Sequence, residues 1–277
     1  MPAAAGTWRV WPRPPRGIAS SSTGRGTAIR VLLTNDDGVG SPGLRGLAAR
    51  LNTDLDLVVV APKTDQSGSG TSMGTFRSAR GGELEPIASV GGTPAWCVDG
   101  PPAMAVAAAM RGELGSPPDL VVSGINAGMN TGRAVLHSGT VGAALTASTF
   151  GGRGCAISLA RSDPWHWGTA IEVAAALTHW MLERRDGPAV LNVNVPAVPL
   201  ALVRGARWVR PDPNFGAVSV TATGAGGMRT QVVLSGTPTP GSDTMLCQDD
   251  WVTLTPLQAL GVPAFPPVDA NRVVSLS

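Results

Sequence analysis

Tyrosine does not occur in this chain of 277 residues, and aromatic residues make up only 4% of it. With 36 glycines and 24 prolines, the composition leans toward Ala, Gly, Pro and Arg, so the missing tyrosine reflects bias and not chemistry. Charge is scarce too: 14% of residues are charged and the net charge is +2. That leaves neither a basic face for nucleic acid nor an acidic tail. The three cysteines, Cys97, Cys155 and Cys247, are far apart and match no metal-ligand spacing. An odd, sparse set suits core packing in a reducing compartment. None has a histidine close by in sequence, which argues against a thiolate nucleophile. No apolar run approaches the roughly 20 residues of a membrane helix. The chain is nonetheless 43% hydrophobic. At this length it can bury a full core, as one α/β domain or a domain with an extension.

Residues 1–28 interleave Arg9, Arg13 and Arg16 with Pro12, Pro14 and Pro15, then a Ser/Gly/Thr stretch, without the apolar centre of a secretory signal. They are expected to be a disordered arm without catalytic content. From Ile29 to about Leu191 strand-like and helix-like segments alternate, the pattern of βαβ units and a parallel sheet. Strands are predicted at Ile29–Thr34, Leu55–Ala61, Asp119–Ser123, Cys155–Leu159 and Ala189–Val195. Helices are predicted from Ser41 to Leu51 and at Pro101–Met110, Gly139–Phe150 and Trp165–Arg184. Ser41 followed by Pro42 is a helix start with its cap. After Pro196 short β-type runs (Val218–Thr223, Thr230–Leu234, Trp251–Leu257) alternate with Pro, Gly and Ser, with few helical candidates. The chain is therefore expected to be a doubly wound, mostly parallel α/β core over 29–196. Residues 197–277 would be a β-rich extension that closes on the core or pairs with another subunit.

The run Val31-Leu32-Leu33-Thr34 stops on Asn35-Asp36-Asp37-Gly38. A short, wholly apolar run reads as a strand buried on both faces, and its carboxyl end is where open α/β sheets bind ligands. Adjacent carboxylates repel, so holding both in a half-buried place calls for a cation. Asp-Gly is also a plain turn dipeptide. The second predicted strand ends in a loop carrying Ser67, and the third in one carrying Asn126. Taken singly, Ser67-Gly68-Ser69-Gly70 reads as a flexible loop and Asn126 as a turn former. Together, two carboxylates, a hydroxyl and an amide oxygen at neighbouring strand ends suit Mg²⁺, Mn²⁺ or Ca²⁺ and not zinc. Ser138-Gly139-Thr140 opens a predicted helix, where free N–H groups favour an anion; Ser138 is equally an ordinary N-cap. Asn35 and Asn130 are placed either to meet phosphate oxygens or to brace their turns. His137 is a candidate proton donor or a packing residue, whereas His166 and His179, in the long helix, read as structural.

Five strings resemble the SurE family, the stationary-phase survival proteins that act as metal-dependent 5′-nucleotidases. They are Leu32–Gly38 (LLTNDDG), Val59–Pro62 (VVAP) with Gln66–Gly68, Pro118–Asn126 (PDLVVSGIN), Ser138–Ala144 (SGTVGAA) and Leu191–Pro196 (LNVNVP), in family order over roughly residues 30–196. The resemblance implies a Rossmann-like domain, a homodimer or homotetramer built through a C-terminal β extension, and a cytoplasmic location. It implies one divalent ion per subunit, Mg²⁺ or Mn²⁺, held by Asp36, Asp37, Ser67 and Asn126. Asp36 and Asp37 would be catalytic, with Asn35, Ser138, Gly139 and Thr140 on the phosphate of a nucleoside monophosphate. The chain departs from the pattern at Gly100–Ala105, where an acidic residue is lost, at Arg133, where the loop is commonly acidic, and at His137, where tyrosine is frequent. A phosphatase of broader range, acting on simple monoesters or short polyphosphates, is the alternative activity. A nucleotide-binding protein without turnover is the alternative class. A phospho-aspartate mechanism of the haloacid-dehalogenase kind needs Asp-x-Asp, and here the two aspartates are adjacent.

Overall fold

The apolar run ending at Thr34 forms β1 (Arg30–Thr34), and Val31 to Thr34 are completely buried. Its side chains alternate between two covered faces. Val31 and Leu33 pack with Leu44 and Leu47 of α1 (Pro42–Leu51) and with Ala174 and Met181 of α4 (Trp167–Glu183). Leu32 turns the other way, toward Val106 of α2 (Pro102–Met110) and Ala143 and Ala147 of α3 (Gly139–Thr149). A strand covered on both sides has no solvent face to make polar, which is why the run is unbroken by polar residues. The computed structural model describes residues 29–74, 83–214, 217–223, 227–233 and 236–260. The arm expected over 1–28 and the end of the chain, 261–277, lie outside the described residues.

The other strands are β2 (Asp56–Pro62), β3 (Leu84–Val90), β4 (Thr93–Val98), β5 (Leu120–Ala127), β6 (Gly154–Leu159), β7 (Val190–Val195), β8 (Ala206–Trp208), β9 (Ala217–Thr223), β10 (Gly227–Val233) and β11 (Val252–Leu257). The main sheet runs β3-β4-β2-β1-β5-β6-β7-β11-β8, and β9 and β10 form a separate two-stranded ribbon. Neighbours in the main sheet are parallel except β3 with β4 and β11 with β7. Strand order reverses between β1 and β5, which makes the crevice at their carboxyl ends the topological switch point where such sheets bind ligands. No helix among the described residues is long and apolar enough to cross a membrane.

Three departures from the sequence reading have local causes. The strand predicted to stop at Ser123 continues to Ala127, so Asn126 lies in the strand and pairs with Ser158. The bulge is at Gly124, where φ is +133° and a Cβ would sit 2.3 Å from Ile157 O. Glycine here lets the strand kink and continue, where the reading took it for the strand's end. Between Gly74 and Pro101 no element was predicted, yet β3 and β4 form a hairpin. Its turn is Gly91-Gly92, both at positive φ as a tight hairpin turn demands. Pro86 hid the strand, but β3 is the sheet's edge, where a missing N–H costs little. Late in the chain, Ser242 caps the short α5 (Asp243–Gln248) through Met245 N, in a region read as nearly free of helix.

The stems of the β9–β10 ribbon are clasped by Asp212. Its carboxylate accepts from Asn214 N (2.9 Å), Thr239 N (2.7 Å), Thr239 Oγ1 (2.9 Å) and Ser242 Oγ (2.8 Å). Burial alone would push this carboxyl up, but the hydrogen bonds outweigh it and hold the group at about 2. An unfolded aspartate titrates near ~3.9, so the clasp's contribution is complete above about pH 4 and is lost as the pH falls toward about 2. Urea melts at pH 5 and pH 2.5 should therefore differ less for Asp212→Asn than for the parent chain. An equal difference in both proteins would remove Asp212 from the acid transition.

Candidate active site

Four loops interlock at the carboxyl edge around β1. Asp36 O accepts from Gln66 N (2.8 Å), which draws the Ser67 loop against the first aspartate. Asp37 Oδ2 accepts from Ala127 N (3.3 Å), which brings the end of β5 to the second. From the other side Thr140 Oγ1 donates to Asp36 Oδ1 (2.5 Å), so the first turn of α3 sits on the carboxylate. Gly70 N donates to His137 O (3.1 Å), tying the Ser67 loop to the turn that leads into α3. Close approach requires glycine at the centre. A Cβ on Gly139 would lie 2.6 Å from Ser69 Oγ and 2.8 Å from Asp36 Oδ2.

Electrostatically the pair is under tension. Burial raises the Asp36 carboxyl above its ordinary range, against the pull of the Thr140 hydrogen bond. Asp37 is pushed up to about 6, first by burial and then by the charge of Asp36. Both shifts have the sign of a site short of positive charge, since a cation between the carboxylates would reverse them. The neutral members of the set are held by local hydrogen bonds. Ser67 N and Oγ both donate to Asp65 Oδ1 (2.8 and 2.6 Å), so the hydroxyl's lone pairs are not used in that contact. Asn126 donates from Nδ2 to Gly128 O (2.7 Å), which fixes the amide and directs its oxygen away from that bond. Hard oxygen donors of this kind fit Mg²⁺ or Mn²⁺.

The remaining candidates divide into contact groups and braces. Ser138 caps α3, its Oγ accepting from Val141 N (3.1 Å), so the cap and the anion-favouring helix start coexist. Asn35 is completely buried and donates to Gly38 O (3.0 Å) and Ser41 Oγ (2.7 Å). Of the two roles expected for it, these contacts describe the brace of the aspartate turn. Asn130 is a brace as well. It donates from N to Asn194 Oδ1 and from Nδ2 to Ser158 Oγ (both 2.8 Å), and its carbonyl accepts from Asn192 and Asn194. His137 is exposed, and its backbone carbonyl is what holds the neighbouring loop.

Sequence reasoning passed over Asp65 and Ser69. The spacing Asp65-x-Ser67 is the signal for the first, since an aspartate routinely accepts from the residue two further on. Ser69 Oγ is buried and has no partner among the described residues, though it faces the Gly139 turn.

Known proteins share this arrangement of sequence and fold. The sequence model of the family described as Survival protein SurE matches residues 31–215, more than half of the chain. The chain is 39% identical over 247 residues to the 5′-nucleotidase SurE of Methylococcus capsulatus, a match covering 83% of this chain and 91% of that one. It is 35% identical over 237 residues to the 5′-nucleotidase SurE of Pseudomonas entomophila, covering 83% and 92%. The crystal structure of the SurE protein from Aquifex aeolicus matches with a TM-score of 0.70 at 28% identity, over 84% of this chain and 94% of that one. The strand order that creates the β1–β5 crevice and the strings that line it thus come together in one lineage, and the chain belongs to the SurE family of survival proteins.

Proposed function

We propose that this protein is a metal-dependent phosphomonoesterase, a 5′-nucleotidase that releases phosphate from nucleoside 5′-monophosphates. The observation that carries the reading is the contact between Asp36 and the start of α3. Two crowded carboxylates ask for a cation while the helix start beside them favours an anion. A divalent ion together with a phosphate answers both demands. The relatives that carry the name 5′-nucleotidase support the same reading.

Asp36, Asp37, Ser67 and Asn126 would hold the ion. When bound, it supplies Lewis acidity toward a phosphate oxygen and neutralises charge that builds during transfer. The protein does the rest. Ser138, Gly139 and Thr140 present hydroxyl and N–H donors to the phosphoryl oxygens, fixed in advance by the Ser138 cap. Asp37, the less buried of the two aspartates, takes the proton of the attacking water. Asn35 and Asn130 keep both turns in place.

Phosphate release should be measured on purine and pyrimidine 5′-monophosphates, on a simple aryl phosphate and on a short polyphosphate, with Mg²⁺ or Mn²⁺ and with EDTA. Monophosphate turnover that stops in EDTA is the expected result. Turnover that survives EDTA would sink the metal-dependent mechanism, and binding without turnover under either ion would sink the enzyme.

The ribbon of β9 and β10 suits the dimer or tetramer inferred for this family. It pairs with no other described strand, and a lone two-stranded ribbon is marginal in water. The three cysteines are free thiols, which suits a cytoplasmic location.

A further inference from the structure

We propose that Asp243 is a positioning residue of the phosphate site, and that it ties that site to the base of the β9–β10 ribbon. The proposal rests on the reading of Ser138–Thr140 as the phosphate grip. Asp243 is completely buried, and among the described residues no cation pairs with it. Its charge is met by hydrogen-bond donors alone. Oδ2 accepts from Gly132 N (3.0 Å), which also reaches Oδ1 (3.3 Å), while Oδ1 accepts from Asp212 N and Thr244 N (both 2.8 Å). A buried carboxylate is expensive to keep, and its loss leaves N–H groups without partners.

Capping α5 does not require it, because Ser242 Oγ already accepts from Met245 N (3.3 Å). What Asp243 reaches is Gly132, distant in sequence and the first residue of the short 3-10 turn Gly132–His137. That turn runs directly into Ser138. Its far end is held by Gly70 N on His137 O, so Asp243 and the Ser67 loop fix the two ends of one short segment. The same carboxylate holds the N–H of Asp212, whose own side chain clasps both ribbon stems. A shift of the ribbon base therefore reaches Gly132 through one residue. Displacing a reacting group by ~1 Å costs on the order of 10²-fold in rate.

Asp243→Asn removes the charge and the shorter of the two contacts to Gly132. Oδ1 still accepts from Asp212 and Thr244, but an amide NH₂ replaces the oxygen nearer to the Gly132 N–H, which keeps only its longer contact to Oδ1. With Mn²⁺ present, inorganic phosphate should inhibit the variant at least about tenfold more weakly, and kcat on a nucleoside monophosphate should fall by about tenfold or more. Mn²⁺ affinity by calorimetry should be unchanged, because Asp243 touches none of the residues that would hold the ion. A lower melting temperature with unchanged phosphate inhibition would make Asp243 purely structural and overturn the proposal.

Hydrogen exchange on the unmodified protein gives a test that does not depend on the variant folding. Adding inorganic phosphate with Mn²⁺ should protect the 128–138 segment and the 243–248 segment together. Protection at 138–142 that leaves 243–248 unchanged would refute the coupling alone. No protection at 138–142 would overturn the phosphate reading itself, and the proposal with it.

Discussion

Asp36→Asn should lower phosphate release from nucleoside monophosphates by about 10²–10³-fold, the scale of removing one charge-stabilising group from a preorganised site. In EDTA the same variant should melt above the parent chain. The two effects have one origin. In the metal-free protein the Asp36 carboxylate is buried, and burial pushes its carboxyl up, so the charged form is held at a cost. Asparagine keeps the shape and an oxygen for the Thr140 hydroxyl while removing that cost. Adding Mn²⁺ at about a hundredfold over its dissociation constant stabilises a protein by about 2.7 kcal/mol. That is worth roughly 5–10 °C in a chain of this size, and only the parent should show it. A variant that keeps its activity, or that responds to Mn²⁺ as the parent does, would move the metal away from Asp36.

Gly142→Ala should fold less stably although alanine is the better helix former. Gly142 lies inside α3, where alanine gains about 1 kcal/mol on propensity. A Cβ there would stand 1.9 Å from Gly70 O and 2.3 Å from Gly70 C. Those are backbone atoms, so relief requires moving the helix or the whole Ser67–Thr71 loop. Overpacking of that kind costs about 3 kcal/mol. The net loss of about 2 kcal/mol lowers the melting temperature by about 4–8 °C. The loop that must yield carries Ser67, and it holds His137 O through Gly70 N, so activity falls further than stability alone explains. Thermal melting and kcat, measured on the same preparation, test both halves. An unchanged melting temperature would show that α3 and the loop are not in contact.

Candidate site residues are most legible where their placement follows a local rule. Asp36 and Asp37 stand just after a buried strand, and Ser138 stands just before a helix; both positions are fixed by patterns a few residues long. Asn126 reads from the sequence as a loop residue but belongs to β5, because the Gly124 bulge lets the strand carry on past a residue that usually breaks one. The β3–β4 hairpin was hidden by Pro86, whose cost depends on lying at an edge, and an edge is a property of the finished sheet. Asp212 and Asp243 reach partners far away along the chain, Thr239 and Gly132 among them. Such pairings have no period and no neighbouring signal. They appear only after the loops have been brought together.

The placement of β11 bears on how the protein is made. This strand is the last described element of the chain, yet it lies inside the sheet between β7 and β8. During synthesis from the N-terminus, domains begin to fold before the chain is finished. β7, whose residues are all buried in the completed sheet, must then wait with one side unpaired until Leu257 has been made. An apolar strand with an open edge invites pairing with another nascent chain. The growing polypeptide is thus most vulnerable to aggregation late, after β7 has been translated and before β11 arrives to pair with it.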